Sequence, residues 1–363
     1  MAKIALITDT HFGVRSESPV LSEYMGRFYS EVFFPYIDKH GIKYVRHLGD
    51  IVDRRKYMNY LALRKMREQF IQPCFERDLD VSVIIGNHDT FHKNTNDINS
   101  MNEIFKDTSY EKLRWYSDPT EEEIDGTKIL MMPWICSGNF QECVRAINET
   151  RAQILFGHLE IAGFEMYRGS VMDHGQSRAL FDKFDQVFSG HFHHKSNQGN
   201  VDYLGAPYEM TWSDYDDPRG FHVFDTDTRE LTFVQNPFHL FHKIWYNDAN
   251  KTLAQVLDID VEKYTNTFVK VVVTEKTNPY WFDMFIDKLE KAGIADLQIV
   301  DDHLQLALDG DDDDVIDEAE DTLTSIKRYA SSFLLEQDPT VVSDLHQLLG
   351  GLYNEAQQME GDA

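Results

Sequence analysis

Cysteine is nearly absent: the chain has three in 363 residues, Cys74, Cys136 and Cys143, and no CxxC pair. Their odd number argues against a disulfide framework, so they read as buried apolar thiols in a reducing compartment. No apolar run approaches the roughly 18 residues that span a bilayer. The opening MAKIALITDTHFG has none of the architecture of a signal peptide. Both absences point to a soluble protein of the cytoplasm, free of membrane. Basic residues are scarce as well: 35 Lys and Arg face 62 Asp and Glu, for a formal net charge of −27. Such a chain is repelled at long range by nucleic acid and anionic membranes. A polyanionic substrate would need a local basic or metal-lined cleft, or a partner that shares the contact. Part of the acidic excess lies in LDGDDDDVIDEAED, residues 308–321, which lacks EF-hand spacing and reads as a solvated loop leading into a helix. A GxxxxGK[ST] phosphate loop is also missing, so any ATP dependence must come from another subunit.

What is present is globular: 42% hydrophobic and 13% aromatic residues, in a length that allows one large core and a smaller second domain. Five short apolar runs each end in a polar cluster: KIALIT before DTH, KYVRHL before GD, VSVII before GNHD, AQILF before GH, and DQVFS before GHFH. Runs of this length and composition predict buried strands. Helical patterns separate the first three, SPVLSEYMGRFYSEVFFPYIDKHG (closed by Gly41) and NYLALRKMREQFIQPCFERD. Alternation of this kind predicts an α/β sheet or sandwich, in which ligands sit beyond the carboxyl ends of the strands. Further strands are expected in VDYLGA, RGFHVFDT and ELTFVQN. After Pro237 the pattern restarts as strand TFVKVVVTE, helix PYWFDMFIDKLEKAG, strand DLQIVD and helix DVIDEAEDTLTSIKRYASSF, a small α+β domain. The last helical pattern, TVVSDLHQLLGGLYNEAQQ, aligns Val341, Leu345, Leu348 and Leu352 on one face and reads as a partner-binding device.

The polar clusters supply the chemistry. Asp9 and His11 are two apart at a strand end, so both point to one side. Asp50 follows the second strand, Asn87 and His88 the third, His158 the fourth, and His191 with His193 the fifth. Carboxylate, amide and imidazole together suit manganese, iron or zinc better than calcium or magnesium alone. Seven ligands exceed one ion's needs but fit two ions that share a carboxylate, the usual device for displacement at phosphorus.

The series DTH, GDIVD, GNHD, GH and GHFH resembles the calcineurin-type metallophosphoesterases. Within them it is most similar to the SbcD-type DNA nuclease subunits, relatives of the nuclease of the eukaryotic MRN repair complex. The segment YLGAPYEMTWSDYDDPRGFHVFD resembles the version carried by T-even-like phages, a recombination nuclease subunit, which would place it in a host cytoplasm. The motifs cover about the first 240 residues, and the rest matches through architecture.

The resemblance implies a β-sandwich nuclease domain flanked by helices (1–244), a DNA-contacting α+β cap (245–334) and a helical partner-binding segment (335–363). It assigns one metal to Asp9, His11, Asp50 and His193, and a second to Asp50, Asn87, His158 and His191, with Asp50 bridging. Manganese is the expected ion and magnesium the alternative. His88 would be the catalytic non-ligand, and Asp53 its orienting partner. The implied partners are DNA, an SbcC-type SMC-like coiled-coil ATPase, and a second copy of the chain in a homodimer. His194 reads as supporting or solvent-facing, and His47, His92 and His174 as ordinary histidines. The competing activity is phosphomonoester hydrolysis on the same fold, since GDIVDRR is similar to the phosphoprotein phosphatase motif. Those enzymes, however, usually read GNHE and lack the cap. A non-catalytic scaffold is disfavoured because every ligand position is filled.

Overall fold

The apolar runs pair into two stacked sheets in the computed structural model, which describes residues 2–300. In the first sheet β1 (Lys3–Ile7), β2 (Tyr44–His47), β3 (Asp80–Ile84) and β4 (Leu113–Tyr116) lie side by side and parallel. Beyond β1 the sheet continues through antiparallel β13 (Gly220–Asp225) and β14 (Leu231–Gln235). The second sheet contains β5 (Thr120–Ile124), β6 (Thr127–Met132), β7 (Ile154–His158), β10 (Gln186–Gly190), β11 (Ser196–Gln198) and β12 (Val201–Tyr203), in the order β11-β12-β10-β7-β6-β5. A two-stranded ribbon of β8 (Glu165–Tyr167) and β9 (Ser170–Val171) lies between β7 and β10 in the chain.

Alternation along each strand builds two cores. Ile4 and Leu6 of β1 meet Ile84, Met131, Phe156, Phe188 and Phe224 between the sheets. Ala5 and Ile7 turn the other way and pack with Val45, Val81, Phe28, Phe33 and Phe70. Burying each large aliphatic or aromatic side chain contributes about 1.5–3 kcal/mol. The expected α/β sandwich flanked by helices is therefore present.

Both long helical patterns form, with one refinement. Ser18 and Asn59 cap their starts through side-chain oxygens, and Gly41 closes the first at φ 64°. Each is interrupted by a π-helical turn, Phe28–Phe33 and Arg67–Ile71, just before a proline, Pro35 and Pro73. Proline cannot donate to the preceding turn and its ring crowds a carbonyl there, so a locally widened turn accommodates it.

The third sheet is β15 (Phe241–Asn247), β16 (Phe268–Glu275) and β17 (Asp296–Val300), all parallel. Helix Pro279–Lys291 covers one face, burying Phe282, Phe285 and Leu289 against Tyr246, Val269 and Val271. On the other face the Lys270 ammonium lies 4.5 Å from the Trp212 ring centre and Lys243 lies 4.6 Å from that of Tyr215. A boundary between 244 and 245 falls inside β15, whose Phe241 already pairs with Phe268. The expected helix in 314–333, the acidic run 308–321 and the tail 335–363 lie outside the described residues. Cys74, Cys136 and Cys143 are free and buried. Among the described residues no helix is long and apolar enough to cross a membrane.

Candidate metal centre

Five strands, β1, β2, β3, β7 and β10, each deliver a polar motif at or just beyond the carboxyl end. The backbone there is forced: Asp9, His11, Asp50 and His191 all have positive φ, at 51°, 42°, 54° and 87°. Non-glycine residues held this way cost about 1–3 kcal/mol each and cluster where a site needs them. The glycines of the motifs clear the space. A Cβ on Gly49 would lie 2.3 Å from His158 Nδ1, and one on Gly86 would lie 2.2 Å from Asp50 Oδ1.

The ligand candidates gather in two groups, Asp9–His11–His193 and Asp50–His158–His191, the donor atoms of each within 4.8 Å of one another. In the first, His11 Nε2 faces His193 Nε2 at 3.1 Å. In the second, His158 Nε2 stands 3.2 Å from Asp50 Oδ2 and 2.9 Å from Asn87 Oδ1. Asp50 joins the groups, since the same Oδ2 is 3.9 Å from His11 Nε2. Its other oxygen accepts the His88 main-chain N–H at 2.8 Å. The Asp9 carboxylate accepts the His191 main-chain N–H, at 3.1 Å to each oxygen, and the Thr8 hydroxyl at 2.8 Å. All seven expected metal positions, Asp9, His11, Asp50, Asn87, His158, His191 and His193, thus lie in one centre.

The donor set suits divalent cations. His191 Nε2 is buried without a hydrogen-bond partner, which by itself costs about 1–3 kcal/mol. Burial holds His11 and His191 well below the usual imidazole range and His193 at about 4, so their lone pairs stand ready. Burial opposes charge on Asp50, yet the imidazoles of His158, His88 and His11 hold its carboxyl well below the usual carboxylate range.

Two of the candidate ligands have raised pKa values, so an ion would compete with protons there. Burial raises Asp9 to about 7. Burial also disfavours charge on His158, but its contact with Asp50 outweighs that and lifts it to about 9. A cation binds only the deprotonated forms, so affinity is expected to rise with pH, first through about 7 and again towards 9. Calorimetric titration of Mn²⁺ at pH 6, 7 and 8, in buffers of different ionisation enthalpy, should show tighter binding at each step and net proton release. An affinity flat across that range would contradict the displacement.

His88 stands beside the first group, its ring edge-to-face with His11 at 4.9 Å. Its Nδ1 meets the main-chain carbonyl of Asp53. The Asp53 carboxylate lies 3.8 Å from His11 Nδ1 and 3.7 Å from Arg54 Nε. Donation from Nδ1 to the carbonyl fixes the ring and leaves Nε2 outside that bond. Part of this orientation therefore comes from backbone and survives a change of the Asp53 side chain.

Two supporting residues escaped the sequence reading. Asp89, last letter of GNHD, accepts the main-chain N–H groups of Asp50, Ile51, Val52 and Gly86 at 2.8, 3.1, 3.2 and 2.9 Å. It joins the turn after β2 to the turn after β3, and so places Asp50 opposite Asn87. Arg219 donates to the His193 carbonyl and pairs with Asp214 and Asp217 at 2.7 and 2.9 Å. His194 bonds Asp217 at 2.9 Å and belongs to this support. Of the remaining histidines, His47 bonds the Thr10 hydroxyl at 2.9 Å, His92 is exposed, and His174 is half-exposed.

Comparison with known proteins identifies the family. The calcineurin-like phosphoesterase family matches residues 2–195, a span that holds all nine candidate residues. Exonuclease subunit 1 of Enterobacteria phage T4 is 30% identical over 330 residues, 91% of this chain and 92% of its own. Among solved structures, an archaeal phosphodiesterase covers 64% of this chain and 99% of itself at 14% identity and a TM-score of 0.32. A protein of unknown function from Aquifex aeolicus covers 51% of this chain and 94% of itself, at 16% identity and a TM-score of 0.24. Neither structure superposes well enough to argue from. A family match across more than half the chain, together with a relative that close over nine tenths of it, decides the matter: the chain belongs to the calcineurin-like phosphoesterases, enzymes that hydrolyse phosphate esters.

Proposed function

We propose that this protein is a dimetal-dependent DNA phosphodiesterase, the nuclease subunit of a complex with an SMC-like coiled-coil ATPase that acts in recombination and double-strand-break repair. The observation that carries the reading is the pair of buried ligand groups sharing Asp50. Asp9, His11, Asp50 and His193 would hold one divalent ion, and Asp50, Asn87, His158 and His191 the other, with manganese preferred. When bound, such ions supply Lewis-acid activation of a phosphodiester and of water. The chain itself would orient His88 at the reacting phosphate through the Asp53 carbonyl and hold the ligands through Asp89 and Arg219.

The choice of DNA rests on the exonuclease-subunit relative and on local charge. Directly beyond Asp53 the chain places Arg54, Arg55, Lys56, Arg64, Lys65 and Arg67, six basic residues in a protein of net charge −27. Tyr57 and Tyr60 stand among them, 59% and 90% exposed. Cationic side chains with exposed rings suit a polyanion whose bases stack. The 245–334 region would contact DNA as a cap, and 335–363 would dock the ATPase in a homodimeric assembly in the cytoplasm.

The deciding experiment sets manganese-dependent digestion of a DNA oligonucleotide by the isolated protein against hydrolysis of a phosphomonoester. Rapid release of nucleotides with little monoester turnover is expected, and the reverse would assign a phosphatase. Co-purification with an SMC-like ATPase, lost when 335–363 are removed, tests the partner.

A further inference from the structure

Three strand ends in this fold project acidic or imidazole side chains two residues apart. Asp9 and His11 do so after β1, and His191 and His193 after β10. The third pair is His158, the last residue of β7, and Glu160. Glu160 has no place in the centre as described above, yet its Oε2 lies 3.8 Å from His191 Nε2, the buried nitrogen that lacks a hydrogen-bond partner. A cation about 2.0–2.2 Å from an imidazole nitrogen and from a carboxylate oxygen fits between atoms at that separation.

The position is built. The Glu160 main-chain N–H donates to Gln176 Oε1 at 3.0 Å, and its carbonyl accepts the Gln176 main-chain N–H at 2.7 Å. Its second carboxylate oxygen is 3.7 Å from Nε2 of the half-exposed His174. The Glu160 side chain is 19% exposed, against 3% for His191, so it stands on the solvent side of the second group.

We infer that Glu160 supplies a further carboxylate to the second ion, on the solvent-facing side of Asp50, Asn87, His158 and His191, with His174 orienting it. This rests on the reading of those four residues as the ion's holders. The second ion would then have two carboxylates, one amide oxygen and two imidazoles, a set with more hard oxygen than the four residues alone and better suited to manganese than to zinc. His174, held by Asp173 at 3.0 Å, would act on that carboxylate from outside, 3.7 Å from its second oxygen.

Calorimetric titration of Mn²⁺ into the full-length protein and its variants tests this. Glu160→Gln keeps the size of the side chain and should weaken the second ion by about 10–100-fold, leaving the first unchanged. Glu160→Asp, which keeps the charge and retracts it, should fall between Glu160→Gln and the natural protein. Thermal unfolding of the metal-free forms checks that each variant folds. His158→Ala is the control and should lose the second ion. If His158→Ala loses it while Glu160→Gln binds both ions with unchanged affinity, the role of Glu160 is overturned. If His158→Ala keeps both ions, the reading of the centre fails and the inference fails with it.

Discussion

Asp50→Ala is expected to lose both metal ions. Among the described residues its carboxylate joins the two clusters, with Oδ2 3.2 Å from His158 Nε2 and 3.9 Å from His11 Nε2. Without it the first site would keep Asp9, His11 and His193, and the second would keep Asn87, His158 and His191 with Glu160 beside them. Both would lose the shared charge that offsets two cations side by side. The substitution also acts on backbone, because residue 50 sits at φ 54°, where alanine costs roughly 1–2 kcal/mol. Asp50→Asn separates the two effects: asparagine tolerates that conformation and can still accept the His88 main-chain N–H, yet it carries no charge. Both variants should therefore fold, and both should be metal-poor by elemental analysis after dialysis against micromolar Mn²⁺. A fully loaded Asp50→Ala protein would show that the ions do not share this carboxylate.

Strand ends were the most legible part of the chain. Short Val-, Ile- and Leu-rich runs closing on DTH, GD, GNHD, GH and GHFH announce both a parallel sheet and the side chains it presents, because a buried strand leaves its polar residues only at the ends. That logic located Asp9, His11, Asp50, Asn87, His158, His191 and His193, and the structure brings these seven together. The division of ligands between two ions came from family resemblance, since spacing along the chain does not report which strand ends face each other across a sandwich.

What stayed hidden has physical causes. β5 reads TEEEI, an edge strand whose charged face looks like loop in a hydrophobicity pattern. β15 reads FHKIWYN and mixes Lys and His with an exposed Trp245, because Phe241 and Lys243 face Trp212 and Tyr215 while Tyr246 turns to the core beneath the helix. Asp89 is the last letter of GNHD, and the motif alone assigns it no role. Only the fold shows that its carboxylate is consumed by four main-chain N–H groups. The Asp53 carbonyl that meets His88 is backbone, and no side-chain pattern encodes it.

His88→Asn is expected to lower turnover by about 10²–10⁴-fold while keeping both ions, the range of a positioned general acid or base. At about 1.36 kcal/mol per decade this is roughly 3–5 kcal/mol of transition-state stabilisation. Metal binding should survive, because the bond from residue 88 to Asp50 Oδ1 is made by main-chain N–H and does not depend on the side chain. An asparagine amide can also reproduce the Nδ1 donation to the Asp53 carbonyl, so the turn should keep its shape. What disappears is Nε2, the nitrogen that would face the reacting phosphate. Asp53→Asn should cost less, since the carbonyl that holds the ring remains. Leaving-group dependence then separates the two roles open to the imidazole. If His88 protonates the departing 3′ oxygen, the loss should shrink on a nitrophenyl phosphodiester, whose leaving group needs no proton. If it stabilises charge on the phosphoryl oxygens, the loss should be equal on DNA and on the nitrophenyl ester. Single-turnover rates on both substrates, with metal content measured on the same samples, make the comparison. Near-normal rates on DNA with both ions bound would remove His88 from the chemistry.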